Sequence, residues 1–326
     1  MKSFRVICTT VKRGASDIEL SGRIIEIELP SGEIVSSQTL PSFDRIRGPR
    51  GGSRGARGVC VKGERIYVAI YSGIMVFDLG WHLIKQIVHP LVVGHHEIAV
   101  DDEGVWCCST LVDAVIKLDF SGNIIEQFWA SENDDLVSWV GARSVTWDKG
   151  VDYRMYDLPN SGETHPMKQF HINTVHIRDG EVFAYDSNHQ ALFQIFPTFR
   201  PIVRNPRWDH AHNVILRGNE IFVNNSAERS FEIWCLPALG HEVHTGEVVL
   251  REKIEIVSGP EKSTQFSRSG WIRGLIVLTD REFIVGSNPT SLYHIKEGMI
   301  VQSWQYSIDV NEAVHGLTLK QTPPGK

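Results

Sequence analysis

A short strand, a tight turn and a second short strand recur along this chain, and few folds accommodate that recurrence. The clearest stretch runs from His96-Glu97-Ile98 through the turn at 101–104 to Val105-Trp106, then 114–119, a Ser121-Gly122 turn and 124–128. That is four strands in sequence, joined by hairpins. The pattern returns at Arg57-Gly58-Val59, His171-Ile172-Asn173, His212-Asn213-Val214 and Arg273-Gly274-Leu275, with a weaker copy at Arg143-Ser144-Val145. His315-Gly316-Leu317 opens one more first strand with no second strand after it, and the N-terminal runs 4–8, 23–29 and 33–35 supply its missing partners. Four consecutive antiparallel strands about every 40 residues describe a propeller blade. Building one blade from both chain ends removes exposed sheet edges.

The expected fold is therefore all-β: a closed β-propeller of four-stranded blades, one domain spanning residues 1–326. Starts at 57, 96, 143, 173, 212, 273 and 315 favour seven blades over six. The short interval from 143 to 173 makes 129–170 either an irregular blade or an insertion in a six-bladed ring. The long interval from 212 to 273 predicts an extended hairpin at 237–247. Helical periodicity over three turns is missing, which argues against an α/β chain.

Composition narrows the function classes. A hydrophobic content of 42% is enough for a sizeable core. No run approaches the ~18 apolar residues of a membrane span, and residues 1–7 lack the apolar stretch of a secretory signal. A net charge of −6 counts against a nucleic-acid coat. The five cysteines are scattered and form no Cys-x-x-Cys pair, so neither a zinc ribbon nor a disulfide framework is indicated. Reduced thiols and a cytoplasmic setting are expected, with no membrane partner. The Gly/Arg-rich stretch 44–56 reads as a flexible loop, with a basic lid or an RGG-like nucleic-acid contact as its rivals.

The 14 histidines gain meaning once they are placed on the repeat. The residue that begins each first strand sits at one mouth of a propeller channel, where ligands bind. Those residues are Arg57, His96, Arg143, His171 or Asn173, His212, Arg273 and His315. His96, His171, His212 and His315 could present imidazole nitrogens to a divalent metal (Fe, Zn or Mn) with a position left open for chemistry. His210, two residues from His212 in a strand-like segment, is a reserve ligand or a substrate contact. Glu97 could orient a ligand or act as a base. The plainer reading has these histidines hydrogen-bonding one another, water and substrate. A lone arginine is ordinarily a surface salt bridge, but Arg57, Arg143 and Arg273 at equivalent places suit a carboxylate, phosphate or sulfate.

The turn glycines, β-branched strands and Ser121-Gly122 hairpin resemble the six- and seven-bladed propellers with NHL-like repeats. Phe170-His171-Ile172-Asn173-Thr174-Val175 is similar to the His-x-Asn-Ser-Val signature of bacterial arylsulfotransferases, with Thr174 where those enzymes carry serine. That likeness implies a histidine nucleophile, with Asn173 and arginines on the transferred group. The chain departs from the gluconolactonase-like propellers in having no Glu-Gly-Pro opening for their metal glutamate. The expected function is a metal-dependent lyase, hydrolase or oxygenase acting on a small anionic substrate, with His171, Asn173 and Glu97 as catalytic candidates. Its rivals are a metal-free His/Arg transferase or lyase and a non-catalytic binding scaffold.

Overall fold

The structure, a computed structural model, describes residues 3–15, 21–40, 55–155, 167–237, 248–256, 262–264 and 267–320. It is an all-β six-bladed propeller of four-stranded antiparallel blades. One blade combines β1 (Phe4–Lys12), β2 (Arg23–Leu29) and β3 (Glu33–Thr39) with β24 (Glu312–Lys320) in the order β24-β1-β2-β3. The chain ends thus meet in one sheet, as the strand without a partner at 315 predicts. The next blade is β4 (Val59–Lys62), β5 (Arg65–Ile70), β6 (Gly73–Asp78) and β7 (Leu83–Ile87). After it come β8 (Ile98–Val100), β9 (Gly104–Ser109), β10 (Ala114–Asp119) and β11 (Ile124–Trp129). The fourth blade is β12 (Ile172–Arg178), β13 (Glu181–Asp186), β14 (Ala191–Phe196) and β15 (Arg200–Arg204). The fifth is β16 (His212–Arg217), β17 (Glu220–Asn225), β18 (Ser230–Cys235) and β19 (Val249–Glu255). The last is β20 (Ile272–Thr279), β21 (Glu282–Ser287), β22 (Ser291–Lys296) and β23 (Met299–Gln305).

Burial sorts the strands within each blade. The middle strands β6, β10 and β14 are buried along nearly their whole length, whereas β7, β3 and β23 are mostly exposed outer edges. The opposite strands are innermost: β24 touches both β4 and β20, and β12 touches both β8 and β16.

The described residues fall into two compact units of three blades each. One, drawn from Met1–Ile87 and Ile256–Lys326, contains the blades of β1–β3 with β24, of β4–β7 and of β20–β23. Its blades share cores such as Val6, Ile25, Ile284, Leu292 and Val314. The other, drawn from Val88–Tyr156 and Thr164–Glu255, contains the blades of β8–β11, β12–β15 and β16–β19. Its clusters join Trp106, Val115 and Phe193 in one place, and Tyr185, Trp208 and Trp234 in another.

The count of seven blades is corrected to six, because residues 143–147 form no strand. The segment after β11 is the insertion alternative, made of short helical turns at Ala130–Glu132 and Tyr153–Met155 around α1 (Asp134–Val140). Asn133 caps α1 by accepting the Leu136 N–H, and Gly141 ends it in the left-handed region at φ 74°. Val145 and Trp147, which read as strand residues, pin this loop instead. The Val145 N–H donates to the Ser131 carbonyl at 2.9 Å, and Trp147 Nε1 donates to Ser131 Oγ at 3.0 Å. The 44–54 part of the Gly/Arg-rich stretch and the 238–247 part of the expected hairpin lie outside the described residues. Among the described residues no helix is long and apolar enough to cross a membrane.

Candidate acid–base site

A repeated backbone irregularity sets the side chains at the start of the innermost strands. In β12 the register skips Asn173, in β20 it skips Gly274, and in β24 it skips His315. In β16 it gains one residue at Asn213-Val214. Ahead of β4, the Arg57 N–H donates to the Ala69 carbonyl while the Ala69 N–H donates to the Gly58 carbonyl, so two residues again oppose one. Such bulges bend a strand and re-aim its side chains. Arg57, His96, Asn173, His212, Arg273 and His315 each stand two residues ahead of a Val, Ile or Leu in the innermost strand of their blade. By this register Asn173, not His171, is the equivalent in its blade. Asn213 and Gly274 adopt positive φ, 49° and 77°, a region open mainly to Gly and Asn.

In the unit of residues 88–255, three imidazoles lie close together. The His96 ring centroid is 4.8 Å from that of His171, edge to face, and 5.8 Å from that of His212. The partners of two of these rings define their tautomers. His212 Nδ1 lies 2.8 Å from the His210 carbonyl oxygen, which can only accept, so the proton sits on Nδ1 and Nε2 carries the lone pair. Ser226 Oγ, 3.2 Å away, also faces that nitrogen. His171 Nδ1 lies 3.0 Å from Lys168 Nζ. An ammonium only donates, so here Nδ1 accepts and a neutral ring carries its proton on Nε2. The two histidines are thus polarised in opposite senses.

Amides and a carboxylate fix the surroundings. Asn213 Nδ2 donates to Glu97 Oε1 at 3.0 Å, and Asn224 Nδ2 donates to Asn213 Oδ1 at 3.0 Å. Asn173 Nδ2 donates to the Ala211 carbonyl at 2.7 Å. Thr174 Oγ1 donates to Asn173 Oδ1 at 3.2 Å and accepts the Val214 N–H at 3.3 Å. Glu97 is therefore held from another blade, and Asn173 serves first as a bridge between β12 and the loop ahead of β16.

In the unit of the chain ends, Arg57, Arg273 and His315 are all buried. The Arg57 guanidinium lies 5.5 Å from the Tyr71 ring centroid and that of Arg273 lies 6.0 Å from Trp271, distances at which a cation is attracted to an aromatic face. Thr9 Oγ1 donates to the Arg57 carbonyl and accepts the Gly316 N–H at 2.9 Å, tying β4 to β24 beside His315.

Two expectations fail for local reasons. Arg143 is exposed on the irregular insertion and shares no register with the other arginines. His210 does not run parallel to His212: it sits in a turn at φ 52°, exposed, with Nδ1 2.7 Å from Asp209. Cys107 and Cys108 are buried, and desolvation pushes both thiols well above their ordinary pKa. Among the described residues no group of three or more His, Cys, Asp or Glu side chains is arranged to hold a metal ion. Sequence reasoning missed Lys168, Asn213 and Asn224. Asn213 left a signal, standing after His212 where Gly58, Gly274 and Gly316 follow Arg57, Arg273 and His315; Lys168, in the insertion, left none.

No protein-family profile matches the chain, and no curated protein matches its sequence significantly. Solved structures do match in fold. A protein of unknown function from Bacteroides caccae is 11% identical, with 98% of this chain and 100% of that chain covered at a TM-score of 0.59. A protein provisionally assigned as a 6-phosphogluconolactonase from Bacteroides uniformis is 10% identical, with 95% and 84% covered at 0.51. A catalytically inactive virginiamycin B lyase from Staphylococcus aureus, solved with quinupristin, is 11% identical, with 78% and 71% covered at 0.46. At such identities the first two likenesses speak for the propeller fold alone.

Proposed function

We propose that the chain is an enzyme using histidine general acid–base catalysis, a lyase or hydrolase of a small anionic substrate. The observation that carries this reading is the opposite polarisation of His171 and His212, both beside His96. His212 Nε2 takes a proton, from a carbon beside a carboxylate in a lyase or from water in a hydrolase. His171 Nε2–H gives a proton to the departing oxygen as its Nδ1 takes one from the Lys168 ammonium, and solvent then carries the proton held by His212 back to Lys168, which closes the balance. Each such transfer contributes about 10²–10⁴-fold to rate. A neutral His171 with its proton on Nε2 has no lone pair there for attack, which speaks against the arylsulfotransferase-like nucleophile. Within the unit of the chain ends, Arg57 and Arg273 are proposed by themselves to bind a carboxylate, phosphate or sulfate, since guanidinium matches these groups.

A second reading, a divalent Fe, Zn or Mn ion on His96 and His212, is favoured by the Nδ1–H of His212 donating to a carbonyl. Metal-bound imidazoles are oriented in this way. The Lys168 contact of His171 weighs against that residue as a ligand.

The test is an assay of chelator-treated protein on lactones and on carboxylate-, phosphate- and sulfate-bearing esters, with His171→Ala and His212→Ala alongside. Turnover that survives chelation and disappears in both variants is the expected result. Turnover that needs stoichiometric metal would overturn it in favour of the second reading. No turnover across the panel, with a stoichiometric protein partner recovered instead, would favour a binding scaffold.

A further inference from the structure

Behind the Lys168–His171 pair, three successive backbone N–H groups end on two buried carboxylates. Asp113 Oδ2 accepts the Gln169 N–H at 2.7 Å and Oδ1 accepts that of Phe170 at 3.0 Å. Asp186 Oδ1 accepts the His171 N–H at 2.5 Å, and its Oδ2 accepts the His189 N–H at 3.0 Å with His189 Nδ1 2.6 Å away. Both aspartates are fully buried. Asp113 comes from the turn ahead of β10 and Asp186 from the end of β13, so two blades grip one short segment.

We propose that Asp113 and Asp186 are positioning residues: together they clamp residues 169–171 and so hold the Lys168 ammonium against His171 Nδ1. The proposal rests on the acid–base reading of His171, because a His171 of either tautomer would have no use for the clamp.

The physical argument starts from cost. Burying two carboxylates near each other is unfavourable unless each is well hydrogen-bonded. Here burial, with Asp186 adding to it, pushes the Asp113 carboxyl up to about 7 even though Lys168 and the two N–H bonds oppose the rise. A turn needing only its N–H groups satisfied could use carbonyls or water at smaller cost. What two carboxylates add is rigidity: three consecutive amides leave the backbone carrying Lys168 and His171 little freedom. Asp113 also holds φ at 55°, which Asn tolerates about as well as Asp. Asp113→Asn therefore keeps the backbone but turns an NH₂ toward one of the two donors.

The experiment is a long-range nitrogen–proton NMR spectrum of the imidazoles in protein labelled at histidine, with His212 as internal control. In the wild-type protein His171 is expected as the Nε2–H tautomer and His212 as Nδ1–H; a different wild-type pattern defeats the acid–base reading itself. In Asp113→Asn the His171 tautomer ratio is expected to shift about fivefold, the worth of one lost hydrogen bond, with His212 unchanged. Asp186→Asn should move His171 in the same direction. An unchanged His171 in a folded variant overturns the clamp, as does a joint shift of both histidines, which would report general loosening. Where neither variant folds, hydrogen exchange on the wild-type protein decides. The amides of residues 169–171 should exchange at least ~100-fold more slowly than exposed ones, and ordinary rates overturn the proposal.

Discussion

In the unit of residues 88–255, His96, Asn173 and His212 stand two residues ahead of an apolar residue of the innermost strands; in the unit of the chain ends Arg57, Arg273 and His315 hold that place. Both sets use an extra-residue bulge, except at His96, where the β8–β9 register is regular. The first set is tied by side-chain hydrogen bonds, from Asn213 to Glu97 and from Asn173 to the Ala211 carbonyl. The second is set by close backbone packing at Gly274 and Gly316 and by Thr9, with guanidinium groups against Tyr71 and Trp271. A repeated backbone device thus fixes where a side chain goes, while the neighbours decide what it does there. In one unit they polarise imidazoles; in the other they hold permanent cations.

The largest expected effect breaks this contrast if it is wrong. His212→Ala and His171→Ala should each cost about 10²–10⁴-fold in kcat. Arg57→Ala and Arg273→Ala should instead weaken binding of a carboxylate, phosphate or sulfate by about 10–100-fold for one charge-assisted contact. Steady-state kinetics beside titration with the anion alone would separate them. Equal loss of kcat from arginine and histidine variants would erase the division of labour.

Backbone variants sharpen the contrast next. A Cβ on Gly274 would lie 2.7 Å from Leu317 Cγ, at a φ of 77°. Gly274→Ala is expected to cost about 2–4 kcal/mol, from left-handed strain and overpacking together. At the corresponding step in the other unit, Asn213→Gly relieves strain but removes the bonds to Glu97 and Asn224, for a net cost of about 1 kcal/mol. Chemical denaturation of the two variants reads the difference directly.

The sequence carried most of this architecture and only half of the site. Blade strands are legible because hairpin turns punctuate β-branched runs, and 315–319 signals closure by lacking a second strand. The false seventh blade arose because Val145 and Trp147 have strand-like character yet spend it anchoring a loop on Ser131. The six residues are legible because Arg, His or Asn stands each time two positions ahead of an apolar strand residue. The tautomers are not: they depend on Lys168 and on the His210 carbonyl, neither of which occupies a repeated position. His210 misled for a related reason, since a positive φ two residues before a bulge undoes strand alternation.

Buried carboxylates in the two units should give opposite pH dependence. Burial alone would raise the Glu26 pKa, but Lys320, Trp81 and Arg5 all donate to the carboxylate and the net shift is downward. Its contribution to stability is therefore present above the ordinary glutamate pKa and lost as pH falls through the depressed value. Asp113 is raised to about 7, chiefly by burial. Its contribution is complete below the ordinary aspartate pKa and is lost as pH climbs through about 7. Glu26→Gln should flatten the acid limb of a melting-temperature profile. Asp113→Asn should remove the decline between about pH 4 and 7. A wild-type profile without a decline over that range would mean that Asp113 is ionised throughout.

The smallest expected effect tests the blade count as chemistry. Arg143 and Arg57 were equivalent under seven blades; under six, one is an exposed residue of an insertion and the other a buried residue at a bulge. Arg143→Ala should change stability by less than about 0.5 kcal/mol, as exposed substitutions away from special features do, and should leave anion affinity within about twofold. Arg57→Ala, measured beside it, removes a buried cation from its place near Tyr71 and should be felt in both quantities. If Arg143→Ala weakened anion binding as much as Arg57→Ala, register within the blades would no longer distinguish the arginines proposed to bind an anion.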